Sequence, residues 1–151
     1  MKLPSLASPL LLAVLLIACS NRDDVQNPIS QGIIEQLNAN SAAPVDLAQV
    51  GPAAWEQVCI LGPYTDNQAT AKVLGFEWDS ESKTSIADSD GINVLAFIRN
   101  QEVLAFTEHS RDKGDFVKVV AQCFERDQAK LTREVGQDGW IYLVAPSADT
   151  P

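Results

Sequence analysis

The chain predicts an α+β domain, an antiparallel sheet with two helices on one face. Three observations carry this prediction. Two β-rich runs, residues 92–98 and 103–107, flank a short polar turn. Two further segments, 66–74 and 116–124, repeat apolar residues at helical spacing. Another pair of runs, 129–135 and 140–144, is joined by a turn holding Asp138 and Gly139, a hairpin signal.

In order, residues 20–27 are polar except for Val25 and read as a tether. Ile29, Ile33, Ile34 and Leu37 then share one side of a helix. Asn27 suits its cap and Pro28 its first position, while Gly32 weakens it. Residues 38–54 are rich in Ala, Pro, Asn and Gln and read as linker, so the tether runs from 19 to 54. The short helix either docks on the domain or stays free.

The globular domain spans 55–145. Val58, Cys59, Ile60 and Leu61 form a buried strand closed by Gly62 and Pro63. Asp66 caps a helix whose apolar face is Ala69, Val73 and Leu74, and Gly75 stops it. Residues 77–91 make the longest loop, with a short strand around 84–87. The strands of the 92–107 hairpin are apolar on both faces, which predicts cover on both sides. After a charged turn at 111–114, Asp115 caps a second helix, with Phe116, Val119, Val120, Cys123 and Phe124 on one face. The β-branched valines leave a strand open there. The last hairpin follows, and 146–151 is a polar tail.

The order is strand, helix, strand, strand, helix, strand, strand. Without the last strand it matches the split βαβ plan of a ferredoxin-like domain, and a helix-plus-meander arrangement is the rival.

At the N-terminus, Lys2 precedes an apolar run from Leu10, and Leu16-Ile17-Ala18-Cys19 is followed by Ser20 and Asn21. The nine-residue run is half the length that a membrane span needs. A charged start, a short apolar core and small residues before a cysteine make a secretion signal. The Leu16–Cys19 stretch resembles the lipobox of bacterial lipoproteins. That resemblance covers only the first 20 residues or so. It implies a signal peptide over 1–18, cleavage before Cys19, and diacylglyceryl and N-acyl chains on Cys19. More than one chain anchors stably, at about 0.8 kcal/mol per buried methylene. Ser20 after the cysteine, not Asp, implies the outer membrane, on its periplasmic face.

With Cys19 carrying lipid, Cys59 and Cys123 remain as an even pair in an oxidising compartment, and a disulfide is expected. On the helix reading it staples helix to sheet. A redox or metal pair lacks support from spacing, because there is no CxxC and only one histidine.

The whole chain carries −9, and the 133 residues after the signal carry about −10. That balance offers phosphate no counter-charge, so nucleic acid is not an expected partner. It fits either solubility or a basic protein partner.

Catalytic patterns fail one by one. His109, Ser110 and Asp112 are too close in sequence to converge as a triad. With Gly91 at the sixth position of a calcium loop, Ile86 and Phe97 fall where carboxylates are needed. No phosphate-binding or dinucleotide motif is present, so neither cofactor nor enzymatic activity is expected. What remains is surface. Tyr64 and Trp78, with Asp79, Glu81, Asp88 and Asp90, are the candidates for binding a partner, whereas Trp55 and Trp140 suit the core or its edge. The expected function is a non-catalytic envelope lipoprotein that binds a periplasmic or envelope protein, as an inhibitor or immunity protein. An accessory subunit of an envelope-assembly complex is the alternative, and a small hydrolase using His109 comes third.

Overall fold

The computed structural model describes residues 27–39 and 42–146. The Leu16–Cys19 motif, the signal segment and most of the polar tail lie outside them.

Helix α1 (Pro28–Ala39) starts where Asn27 Oδ1 accepts the Ile29 N–H at 3.0 Å. Its spacing of Ile29, Ile33 and Leu37 buries all three in the main core. Gln36 fastens the helix to the next element. Its side chain accepts the Asp46 N–H at 2.7 Å and donates to the Asp46 carbonyl at 3.0 Å. That element is β1 (Val45–Asp46), followed by a 3₁₀ turn at Leu47–Gln49 that Asp46 caps. Val45 and Leu47 are buried in the same core as α1. The folded body thus includes residues that the sequence assigns to tether and linker. Val45 and Leu47, isolated in a polar stretch, give no periodic signal, but each contributes about 1.5–3 kcal/mol when buried.

Two antiparallel sheets form. The larger contains β2 (Gln57–Leu61), β3 (Ile92–Arg99), β4 (Glu102–Ser110) and β5 (Cys123–Glu125), in the order β4-β3-β2-β5. The smaller joins β1 to β6 (Lys130–Val135) and β7 (Ile141–Val144), in the order β1-β6-β7. The fold is α+β, with one disulfide between Cys59 and Cys123.

The ferredoxin-like order does not occur. After α2 (Asn67–Leu74) the chain returns as β3, which pairs antiparallel and directly with β2, leaving no strand between them. The sheet is a meander extended by β5. The helical cover is also distributed differently from the expected pair: α2 and the short helix over Ser80–Lys83 lie on one face and α1 on the other. Val58, Ile60, Leu95 and Phe97 pack toward α1 and the smaller sheet. Cys59, Leu61, Val94, Ala96 and Ile98 pack toward α2 and the segment after it. This two-sided cover explains the unbroken apolar run of β3, which is buried from Asn93 to Ile98. β4 is not central. It is an edge strand, and its burial alternates.

The expected second helix at 115–124 is replaced by a 3₁₀ turn at Val117–Val119 and by β5. Asp115 Oδ1 does accept the Val117 N–H at 2.9 Å, but over a 3₁₀ turn rather than an α-helix. The Asp115 N–H donates to Ile141 O and its carbonyl accepts the Leu143 N–H, both at 2.8 Å, which holds it beside β7. Ala121 then adopts φ 60, which breaks any helix. The short strand expected at 84–87 is instead a 3₁₀ turn at Ile86–Asp88.

Cys59 and Cys123 face each other across β2 and β5, with Cα atoms 4.0 Å apart. The bridge staples neighbouring strands, not helix to sheet, because Cys123 lies on a strand. On the opposite face Trp55 and Phe97 meet edge-on at 5.1 Å. Gly51 makes that contact fit. A Cβ there would stand 2.5 Å from Trp55 Nε1 and 2.6 Å from Phe97.

Candidate functional site

The layer over the disulfide face holds the sequence-predicted surface residues. It begins at Asp66, which caps α2 by accepting the Ala69 N–H at 2.7 Å. Gly75 ends the helix at φ 80, a left-handed conformation suited to glycine. The chain then turns back, and Phe76 and Trp78 pack down toward the sheet. Trp78 meets Phe106 of β4 edge-on at 5.2 Å.

Residues 77–91 are an ordered layer rather than an open loop, and Asn67 is its clasp. Asn67 Nδ2 donates to Asp79 at 3.0 Å. Its Oδ1 accepts from the Ser80 hydroxyl and the Glu81 N–H, each at 3.1 Å. Its own N–H donates to Glu81 Oε1 at 2.8 Å. Beneath, the hydroxyls of Thr70 and Ser80 bond at 2.8 Å, both fully buried. Asp79 also caps α3 (Ser80–Lys83) through the Ser82 N–H. Hydrogen bonds from Ser82 and then Asn67, aided by the charge of Lys83, hold the Asp79 carboxyl below its ordinary range. Farther on, the N–H and hydroxyl of Ser85 both donate to Glu108 Oε1, which ties the layer to β4.

The predicted residues fall into two subsets. Trp78, Asp79 and Glu81 gather around Asn67. Tyr64 is joined to the Ile86–Asp88 turn, which carries Asp88, because its N–H donates to Ile86 O at 2.8 Å. Tyr64 is 63% exposed and sits at φ 61, a conformation costly for a bulky aromatic residue. Asp90 closes the layer, its carbonyl accepting from Arg111 Nη1 at 2.7 Å.

The charge of this layer is one-sided. Asp66, Glu77, Asp79, Glu81, Asp88 and Asp90 are all exposed, and Lys72 and Lys83 are the only cations between residues 62 and 91. None of these six carboxylates forms an ion pair among the described residues. An open cavity of about 590 Å³ lies among Asn67, Lys72, Glu77, Trp78 and Asp79.

His109, near the end of β4, is neither solvated nor part of a Ser110–Asp112 triad. It is fully buried, and its Nδ1 lies 2.8 Å from the hydroxyl of Ser30 on α1. The Phe116 ring stands edge-on to it at 5.4 Å. Burial pushes its pKa down to about 4, against the weaker upward pull of the Gly114 and Lys113 backbone and of Asp112 and Asp115. Ser110 donates to Asp112 at 2.6 Å, so these residues form no triad with His109. Asp115 is fully buried as well and pairs with Arg111 at 2.8 Å. Of the two tryptophans expected in the core or at its edge, Trp55 is buried and Trp140 is 40% exposed, with Arg111 over its ring. Among the described residues, no three His, Cys, Asp or Glu side chains converge as metal ligands, and no helix is long and apolar enough to cross a membrane.

Sequence reasoning missed Asn67, Glu77 and Ser30. Asn67 meets its partners 12 to 14 residues away and Ser30 meets His109 79 residues away, so no local pattern marks either one. Glu77 was legible as an acid in the loop. No family model, curated protein or solved structure matches the chain.

Proposed function

We propose that this chain is a non-catalytic lipoprotein of the bacterial envelope. Cys19 anchors it to the periplasmic face of the outer membrane, and its acidic layer binds a basic protein partner, as an inhibitor or immunity protein. One observation carries the reading. Tyr64 is held exposed at a strained φ of 61, in the same layer as six exposed carboxylates that form no ion pair among the described residues. Backbone strain persists where the surroundings over-determine it, and it concentrates at functional positions. Tyr and Trp are the usual anchors of protein interfaces, and unpaired surface charge raises association rates with an opposite partner. The clasp around Asn67 makes the layer rigid before binding, which lowers the entropic cost of association.

The test is photo-crosslinking in cells from position 81, in the intact envelope. The reading expects one basic envelope protein as the adduct, with a yield that falls at high salt and is lost in Tyr64→Gly. No specific adduct, or one indifferent to salt, counts against it.

The accessory-subunit reading draws on the exposed edge strand β4, where Leu104 is 38% exposed. Its test is co-purification with an outer-membrane assembly machine during ordinary growth. A hydrolase would have to use the Ser30–His109 pair, and turnover lost in His109→Ala would support it.

A further inference from the structure

A second cavity shares Trp78 with the first, and its chemistry differs from that of the acidic layer. It is a groove of about 580 Å³ between the start of α1, the turn at Val50, Gly51 and Pro52, and the edge of β4. Its walls are Ile29, Trp78, Val103, Leu104, Ala105 and Phe106, and Lys83 is the one charged residue that lines it. Three features shape it. Leu104 is an extra residue in β4: Ala105 pairs with Phe97 and Val103 with Ile98, so Leu104 bulges outward. The Trp78–Phe106 contact fixes two aromatic rings in its wall. At the edge strand, Asn27 Nδ2 donates to Phe106 O at 3.0 Å, which satisfies a carbonyl that an added strand would need. The groove is therefore unsuited to strand addition. Side-chain chemistry governs what enters it.

Volume, a largely apolar lining and a single charged group match a small-molecule site, the other polar residue, Asn27, being spent on the Phe106 carbonyl. Lys83 supplies the sign. It forms no ion pair among the described residues, and Asp79, at the other end of its turn, already accepts hydrogen bonds from Asn67 and Ser82. We infer that this groove binds a long-chain fatty acid, its carboxylate at Lys83 and its alkyl chain along Leu104, Phe106 and Ile29. This inference does not rest on the partner proposed for the acidic layer, with which the groove shares only Trp78 and Lys83.

The test uses two probes that share a twelve-carbon chain, dodecanoate and dodecyltrimethylammonium. Each is titrated below its micellar concentration into the purified full-length protein at pH 7, followed by amide and indole NMR shifts. Saturable binding is expected, with shifts concentrated at Ile29, the Trp78 indole and residues 103–106. Dodecanoate should bind about tenfold more tightly than the cation, the worth of one favourable charge contact of about 1.4 kcal/mol. Lys83→Gln, at an exposed position, should erase that preference and keep the fold. Leu104→Glu should abolish binding of both probes, and an unchanged dispersion of amide shifts will show that it folds. Equal affinity for the two headgroups, non-saturable binding, or shifts centred elsewhere would overturn the inference.

Discussion

Tyr64 and Ile86 are joined backbone to backbone: the Tyr64 N–H donates to the Ile86 carbonyl at 2.8 Å while Tyr64 itself sits at φ 61. The bond holds a bulky residue in a conformation that glycine adopts freely. Tyr64→Gly is therefore expected to leave the fold as stable as before or up to about 1 kcal/mol more stable, as the left-handed penalty is relieved against the entropic cost of glycine. Urea unfolding measures this. Partner capture should fall in the same variant, which separates recognition from stability.

The clasp gives the next expectation. Asn67→Ala removes the side-chain bonds to Asp79, Ser80 and the Glu81 N–H together. With part of the site exposed, the loss should be about 1–3 kcal/mol. Hydrogen exchange should quicken across residues 78–85 more than in β2 and β3. Uniform exchange throughout the chain would mean that the clasp is not local.

Buried His109 sets a pH dependence. Its folded pKa of about 4 lies below the ordinary 6.5, so the unfolded chain binds the proton more tightly. Its contribution is complete above pH 6.5 and drains away as pH falls toward 4, by up to about 3 kcal/mol. Asp112, Asp115, Arg111 and Lys113 are the charged groups around it, and the two carboxylates soften the loss. The drop in unfolding free energy between pH 7 and 4.5 should be smaller in His109→Gln than in the wild type, the remainder coming from carboxylates such as Asp79 that the fold also holds below their ordinary range. The protonation energy is smaller than the burial of Ile29, Ile33 and Leu37, so acid weakens the docking of α1 without releasing it.

Local patterns carried much of the fold. The Asp66 cap and Gly75 stop of α2, the Asn27 start of α1, and both hairpins sit where their turn and capping residues placed them. In the first hairpin Asn100 and Gln101 both take positive φ, as a tight two-residue turn requires. Tertiary contacts decided the rest. The 116–124 segment keeps its helical spacing of apolar residues, but Asp115 is drawn to β7 and Cys123 to Cys59, and a strand wins. Strand order is equally nonlocal, since nothing in residues 62–91 states whether β3 returns beside β2 or beyond it. At the candidate site, the identities of Tyr64, Trp78 and the acids were legible. Their rigidity was not, because it depends on Asn67 and on a backbone bond to Ile86.

The disulfide closes a span of 64 residues that contains the whole acidic layer. Replacing both cysteines with alanine should cost about 4 kcal/mol in the chain-entropy account. Matched unfolding curves of wild type, reduced wild type and the double variant measure it. The reduced protein should resemble the variant.

The most direct measurement of the central claim is the affinity of the trapped envelope partner for the intact chain as salt is raised. It compares wild type with the double variant Glu77→Lys and Glu81→Lys. The account predicts that wild-type affinity falls steeply with salt, and that the variant binds at least about tenfold more weakly with a shallower slope. Affinity and slope unchanged by the two charge reversals would contradict it.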